Sequence, residues 1–169
     1  GDRLLIAGGR LDPYDTMHYY PTAMIYENGE WTFFQNTGIS DITKTVYRDL
    51  STIAQDPLDP THHFISAAGT GLYEFKDFKF VKQYTVDNSP LQSAVPKEAL
   101  NIQKMYTRID GLSFDAEGNL WMINNQVDSL IRVLKKDGTW KSFYIESVKQ
   151  APTCMRTIID SKGRLWMGS

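Results

Sequence analysis

The residues of this chain whose types could do chemistry are three histidines, one cysteine and a scatter of aspartates. His62 and His63 are adjacent, which suggests a metal-binding or proton-transferring pair. If they lie on a strand, neighbouring side chains point to opposite faces, so the two cannot grip one ion together. His18 is far away in sequence, and no cysteine or carboxylate stands at a zinc-like spacing from it. Asp56, Asp59 and Asp110 raise the question of calcium, but no D-x-D-x-D-G loop is present. Asp56 and Asp59 each precede a proline, a common way to start a turn. Cys154 has no histidine near it in sequence, and there is no G-x-S-x-G elbow to hold a nucleophilic serine. A pair of carboxylates for glycoside hydrolysis could be assembled from distant positions, but no residue points to one. The chain therefore reads as a non-enzymatic module with no metal and no cofactor.

The residues that best suit binding are aromatic. Residues 10–22, RLDPYDTMHYYPT, form a loop carrying Tyr14, His18, Tyr19 and Tyr20. Tyrosine and histidine flanked by polar groups suit stacking on a sugar or contact with a protein. The competing reading is that these rings pack on a neighbouring sheet or on residues 85–108. That longer interruption is the second candidate, since long loops on a rigid scaffold often carry function.

The elements that must position such loops are short strands. Residues 109–145 read as four of them: GLSF, the turn DAEG, LWMI, a polar loop, SLIRVL, the Asp137–Gly138 turn and WKSFYI. Asp-Gly between apolar runs is a strong hairpin signal, because glycine accepts the positive φ that a tight turn needs. Ahead of this unit, LLIAG, AMIY and WTFF make three strands, with Asn28–Gly29 as a turn. LSTIAQ, HFISAA, LYEF and KFVKQY make four more. Within 85–108, Pro96 and the apolar residues 99, 102 and 106 fit one short helix. After 146–152 come MRTIID, the turn SKG and RLWMGS.

These units repeat. FDAEGNLWMIN at 114–124 matches IDSKGRLWMGS at 159–169, which sets Gly118 and Gly163 45 residues apart (163 minus 118). ENGEWTFF at 27–34 matches KDGTWKSF at 136–143 in the same way. A four-strand unit recurring at about 40–50 residues is the signature of a β-propeller blade. A lone meander has two faces and cannot bury both; radial stacking buries each against a neighbour. The four tryptophans fall at equivalent places. Trp121 and Trp166 lie on second strands, Trp31 and Trp140 open fourth strands, and inter-blade packing is expected of all of them. The fold class is thus all-β, an arc of about three to four four-stranded antiparallel blades in an incomplete ring. The blades are expected at about 1–34, 50–84, 109–145 and 153–169, as part of a longer chain.

Bulk properties agree. Net charge is −2 over 169 residues, and no basic patch of the kind nucleic acid demands is visible. No apolar run approaches the length of a membrane span. The single cysteine excludes an intrachain disulfide. Four Trp, nine Tyr and eight Phe favour half-buried pleated surfaces.

The pattern D-x-x-G-x-L-W-x-G at Asp160–Gly168 resembles the two-component regulator propeller repeat, found in extracytoplasmic sensor domains of bacteria. The run from ENGEWTFFQNTGI through DPLDPTHHFISAAGTGLYEF to RIDGLSFDAEGNLWMINNQ is similar to the PorZ-like β-propeller proteins of Gram-negative bacteria with type IX secretion. The resemblance covers residues 24–168. It implies a non-catalytic part of a multi-domain, extracytoplasmic envelope protein, periplasmic or on the outer surface. Its partners would be the remaining blades and domains of the same polypeptide, with an anionic lipopolysaccharide, another surface glycan or an envelope protein as ligand. The sensor relatives imply an alternative, a carbohydrate-reading ectodomain.

Overall fold

The computed structural model describes residues 3–9, 20–99, 102–146, 154 and 156–168. Thirteen strands occur among them. The first sheet comprises β1 (Leu4–Gly8), β2 (Thr22–Glu27) and β3 (Glu30–Phe33). The second comprises β4 (Leu50–Gln55), β5 (His62–Ala67), β6 (Gly71–Lys76) and β7 (Lys79–Tyr84). The third comprises β8 (Ile109–Phe114), β9 (Leu120–Asn124), β10 (Ile131–Leu134) and β11 (Trp140–Phe143), and β12 (Arg156–Ile159) pairs with β13 (Leu165–Gly168) in the last. Every strand pairs antiparallel with its sequence neighbour, so each sheet is a meander. No sheet closes on itself among the described residues, and the architecture is that of an incomplete propeller-like arc.

The turns follow from glycine. Gly118, Gly138 and Gly163 have φ of +84°, +82° and +73°, each as the fourth residue of a turn. The first residue of each turn accepts the glycine N–H through its carbonyl and donates its own N–H to the residue after the glycine. The Asp137–Gly138 hairpin therefore belongs with the D-x-x-G turns, a longer loop with glycine in the left-handed region. At Asn28–Gly29, by contrast, both residues have positive φ, +53° and +89°, as a two-residue hairpin turn requires.

Alternation along each strand then builds three cores, one per pair of facing sheets. Ile25 and Phe34 meet Ile65, Tyr73 and Phe75 between the first and second sheets. Phe64 and Leu72 meet Leu112, Leu120, Met122 and Leu134 between the second and third. Ile123, Leu130 and Cys154 pack with Met167 towards the last. The first strands of successive sheets are laced by hydroxyls: Ser51 donates to the Ile109 carbonyl at 3.3 Å, and Ser113 to the Thr157 carbonyl at 2.8 Å.

The connections hold what little helix there is. A five-residue α-helix, α1 (Ile39–Thr43), lies between the first and second sheets and buries Ile39 in their core. In 85–108 the helical element is one 3₁₀ turn, Gln103–Tyr106. The bonds from Ile102 N–H to the Ala99 carbonyl and from Met105 N–H to the Ile102 carbonyl span three residues, not four.

Candidate functional site

β5 places its two histidines on opposite faces, as strand alternation demands. The His62 side lines a cavity of about 140 Å³ between the second and third sheets. Phe64, Phe114, Leu120 and Leu134 give it apolar walls, and Lys135 and Lys136 of the β10–β11 turn also line it. Its polar side is a chain of four groups. His62 Nδ1 lies 3.1 Å from an Asp56 oxygen and Nε2 2.9 Å from Glu74 Oε1. Tyr84 donates its hydroxyl to the other Glu74 oxygen at 2.7 Å, and the Leu58 N–H donates to the other Asp56 oxygen at 2.8 Å. With His62 protonated, all four carboxylate oxygens have a donor.

The electrostatics follow from this closure. Glu74, bonded to its ring, holds the His62 imidazole above its ordinary 6.5, Asp56 adds to this, and burial opposes it. Burial pushes Glu74 up, but His62 and Tyr84 more than offset it and leave the carboxyl below its ordinary 4.5. Burial and then the Glu74 carboxylate push the Tyr84 phenol well above its usual range. As an imidazolium, His62 donates from both nitrogens and keeps no lone pair for a metal or a substrate proton. The arrangement clamps the β4–β5 turn to β6 and β7.

Glu74→Gln is accordingly expected to cost about 1.5–3 kcal/mol at pH 6, the worth of one charge-assisted hydrogen bond. Because the His62 pKa is raised, its contribution is complete below about 6.5 and is lost as pH rises through the folded value. Denaturation at pH 6 and pH 9 checks this: the gap between variant and wild type should narrow at the higher pH. A gap that does not change with pH would remove the imidazolium from the account.

The other aspartates are also engaged in structure. Asp59 caps its own turn, accepting from the Thr61 N–H at 3.0 Å and the Thr61 hydroxyl at 2.8 Å, and pairs with Lys76. Asp110 is buried and accepts from the Asn125 amide at 3.2 Å. Among the described residues no three His, Cys, Asp or Glu groups stand together so as to hold a metal. Cys154 is buried, which pushes its thiol up, away from a nucleophilic thiolate. Of the aromatic loop, Tyr14, His18 and Tyr19 lie outside the described residues; Tyr20 is 88% exposed.

Two features went unread in the sequence. In the D-x-x-G-x-L-W turns the aspartate is a fourfold acceptor. Asp115 takes the N–H groups of Glu117 and Asn119, the Asn119 side chain and, at 2.8 Å, the indole N–H of Trp121. Asp160 takes the Trp166 indole in the same way at 3.0 Å. The tryptophan is therefore tied to its own turn. The second feature is the doublet Asn124–Asn125. Asn124 accepts the Gln92 N–H at 2.7 Å and donates to the Gln92 carbonyl at 2.9 Å. Asn125 does the same for the backbone of Cys154, at 2.9 Å both ways. Two amides closing an apolar strand were the only signal available. The stretch around Leu91 and Gln92 is thus pinned rather than free, with Arg132 donating to the Gln92 side chain at 2.6 Å and Leu91 buried in the second core.

The tryptophans divide by what covers them. Trp140 packs on the second sheet with Tyr84 at 5.7 Å, and Trp121 is half-buried, stacked on Phe143. Trp31 and Trp166, their counterparts on the end sheets, are 45% and 55% exposed. Packing across sheets therefore holds for Trp140, whereas Trp121 packs within its own sheet and Trp31 and Trp166 are uncovered at the two ends.

No protein-family model and no curated protein matches the chain. Among solved structures it is similar to PorZ, described as an essential bacterial surface component of the type-IX secretion system of the oral bacterium Porphyromonas gingivalis. That likeness has a TM-score of 0.81 and 27% identity, over 98% of this chain and 21% of that one. It is also similar to the extracellular domain of a one-component system of B. thetaiotaomicron, with a TM-score of 0.51 and 14% identity, over 87% of this chain and 20% of that one. The second likeness is one of fold. The chain spans about a fifth of the length of either protein. By its sheets and by a likeness running over nearly all its length, the chain is a propeller-like arc similar to part of PorZ, with a fold shared by the one-component-system domain.

Proposed function

We propose that this chain is a non-catalytic scaffold arc of an extracytoplasmic surface protein, whose end sheets are covered by further blades of the same polypeptide. The observation that carries the reading is the outward face of the first sheet. Register places Leu4, Tyr26 and Trp31 in one cross-strand row and Ile6, Met24 and Phe33 in the next. Leu4, Tyr26, Trp31 and Phe33 are all exposed, Phe33 by 61%. Six large apolar side chains on one face of a small sheet are a surface built for a partner. The equivalent Trp140 is already covered by a preceding sheet, so a preceding sheet is what Trp31 fits. At the other end Ile158 and Trp166 form a matching exposed row.

The likeness to PorZ supports a secretion-linked surface setting; that the parent protein serves attachment of anionic lipopolysaccharide to secreted cargo is part of our proposal. The loop with Tyr14, His18, Tyr19 and Tyr20 is the contact its sequence offers to such a glycan or to an envelope protein. Hydroxyl-radical footprinting of the whole polypeptide on intact cells tests the scaffold reading. Trp31, Phe33 and Trp166 should be protected there and labelled in the isolated 169-residue chain. Equal labelling in both would sink it.

A further inference from the structure

His63 is the buried titratable group that the scaffold reading leaves unused. Its side chain is fully buried at the junction of the first and second sheets. Phe34, which follows β3, meets it edge-on at 5.0 Å and 77°, and Phe78 of the β6–β7 turn stacks on it at 6.1 Å and 25°. Neither ring nitrogen has a hydrogen-bond partner. A neutral imidazole packs there as an aromatic ring. An imidazolium would lose its water and gain only weak attraction from two phenyl rings, which does not offset the loss.

The charged groups around it do not help a proton to settle. Arg3, just ahead of β1, and His62, next along β5, both disfavour a further positive charge. Asp59 of the β4–β5 turn favours one but already engages Lys76. β4 and β6 place Gln55 and Phe75 opposite His63, neither of them charged. The β6–β7 turn carries Lys76 and Asp77 beside Phe78 in sequence. Arg3 bridges the same junction, donating to Gln55 at 2.7 Å, to the Pro60 carbonyl at 3.1 Å and to Glu27 at 2.6 Å.

We propose that His63 makes this junction an acid-sensitive latch: protonation of its ring releases β1–β3 from β4–β7 while the rest of the arc stays packed. The direction follows from linkage. Burial above all, with Arg3 and His62 adding to it and the Thr61 backbone and Asp59 opposing, holds the ring down at about 4 against an ordinary 6.5. The open junction takes up a proton that the closed one refuses, so opening gains as pH falls below 6.5 and gains no more below about 4. From pH 7.5 to pH 5.0 this one group raises the opening equilibrium about 30-fold. His62 has the opposite shift, but it lies on the other face of β5 and is not uncovered when the first sheet leaves.

Hydrogen exchange followed by mass spectrometry on the full chain at pH 7.5 and pH 5.0, corrected for intrinsic rates, tests the latch. Amides of β2 should lose protection about 30-fold in the wild type, while those of β9 and β10 should hold within about 3-fold. His63→Phe keeps an aromatic ring and cannot titrate, so its β2 amides should be nearly insensitive to pH; His63→Leu serves if that variant does not fold. The proposal is overturned by a wild-type profile that is flat, by the same acid response in the non-titrating variant, or by equal loss at β2 and β9.

Discussion

Gly71→Ala should destabilise the protein by about 3–5 kcal/mol and lower Tm by roughly 10–15 °C, the largest effect expected of any methyl-sized change in the chain. Gly71 opens β6 with φ +92°, and a Cβ there would stand 2.2 Å from the carbonyl oxygen of Tyr84. The obstacle is backbone held in the β6–β7 ladder, so it cannot swing aside as a side chain would. Moving Gly71 instead would break its N–H bond to the Thr107 carbonyl, 2.9 Å long, which joins the second sheet to the connection entering the third. Gly138→Ala is the control. Its φ is +82°, but nothing lies within 4 Å of the added carbon, so only the dihedral cost of about 1 kcal/mol should appear. Thermal denaturation of both variants decides the matter. If they lose the same stability, the clash with Tyr84 is not what makes Gly71 glycine.

The contrast between these glycines marks what could be read from sequence. Turn glycines announce themselves, because D-x-x-G between apolar runs is a local pattern with a local cause. Short apolar strands are legible for a like reason, since their pattern is local: LSTIAQ and KFVKQY are β4 and β7 residue for residue. Gly69-Thr70-Gly71 reads in sequence as no more than a glycine bend, and the close approach of Gly71 to Tyr84 depends on the register of β6 against β7. The site shows the same division. That His62 and His63 face opposite ways follows from strand alternation. That His62 reaches Glu74 depends on how β5 and β6 align, with His62 opposite Lys76. Trp31 and Trp140 have similar local sequences and different cover, because the cover comes from another sheet. No local pattern could carry that distinction.

Asn125→Ala should cost about 2–4 kcal/mol and Asn124→Ala about 1–2 kcal/mol, and they should loosen different parts of the molecule. Each asparagine supplies the donor and acceptor that a paired strand would offer to a lone stretch of backbone. Removing it leaves an N–H and a C=O without those partners; a buried orphan costs about 1–3 kcal/mol, as at Cys154, whereas water can reach the backbone of the exposed Gln92 and lowers the cost there. Asn124 holds Gln92, so its loss should raise hydrogen exchange around Leu91 and Gln92 and leave β12 protected. Asn125 holds Cys154, so its loss should act on Cys154 and β12 and spare Gln92. Asn124→Asp refines the test, because a carboxylate still accepts the Gln92 N–H at this position but cannot donate to the Gln92 carbonyl. Because Asn124 is fully buried, an oxygen facing that carbonyl and a charge without a counter-ion should make it cost at least as much as alanine. The two side chains hold different segments but the residues are neighbours, so the double variant measures how far their costs depart from a sum. Release of both segments by either single change would mean that the doublet acts as one hinge of β9 rather than as two separate clamps.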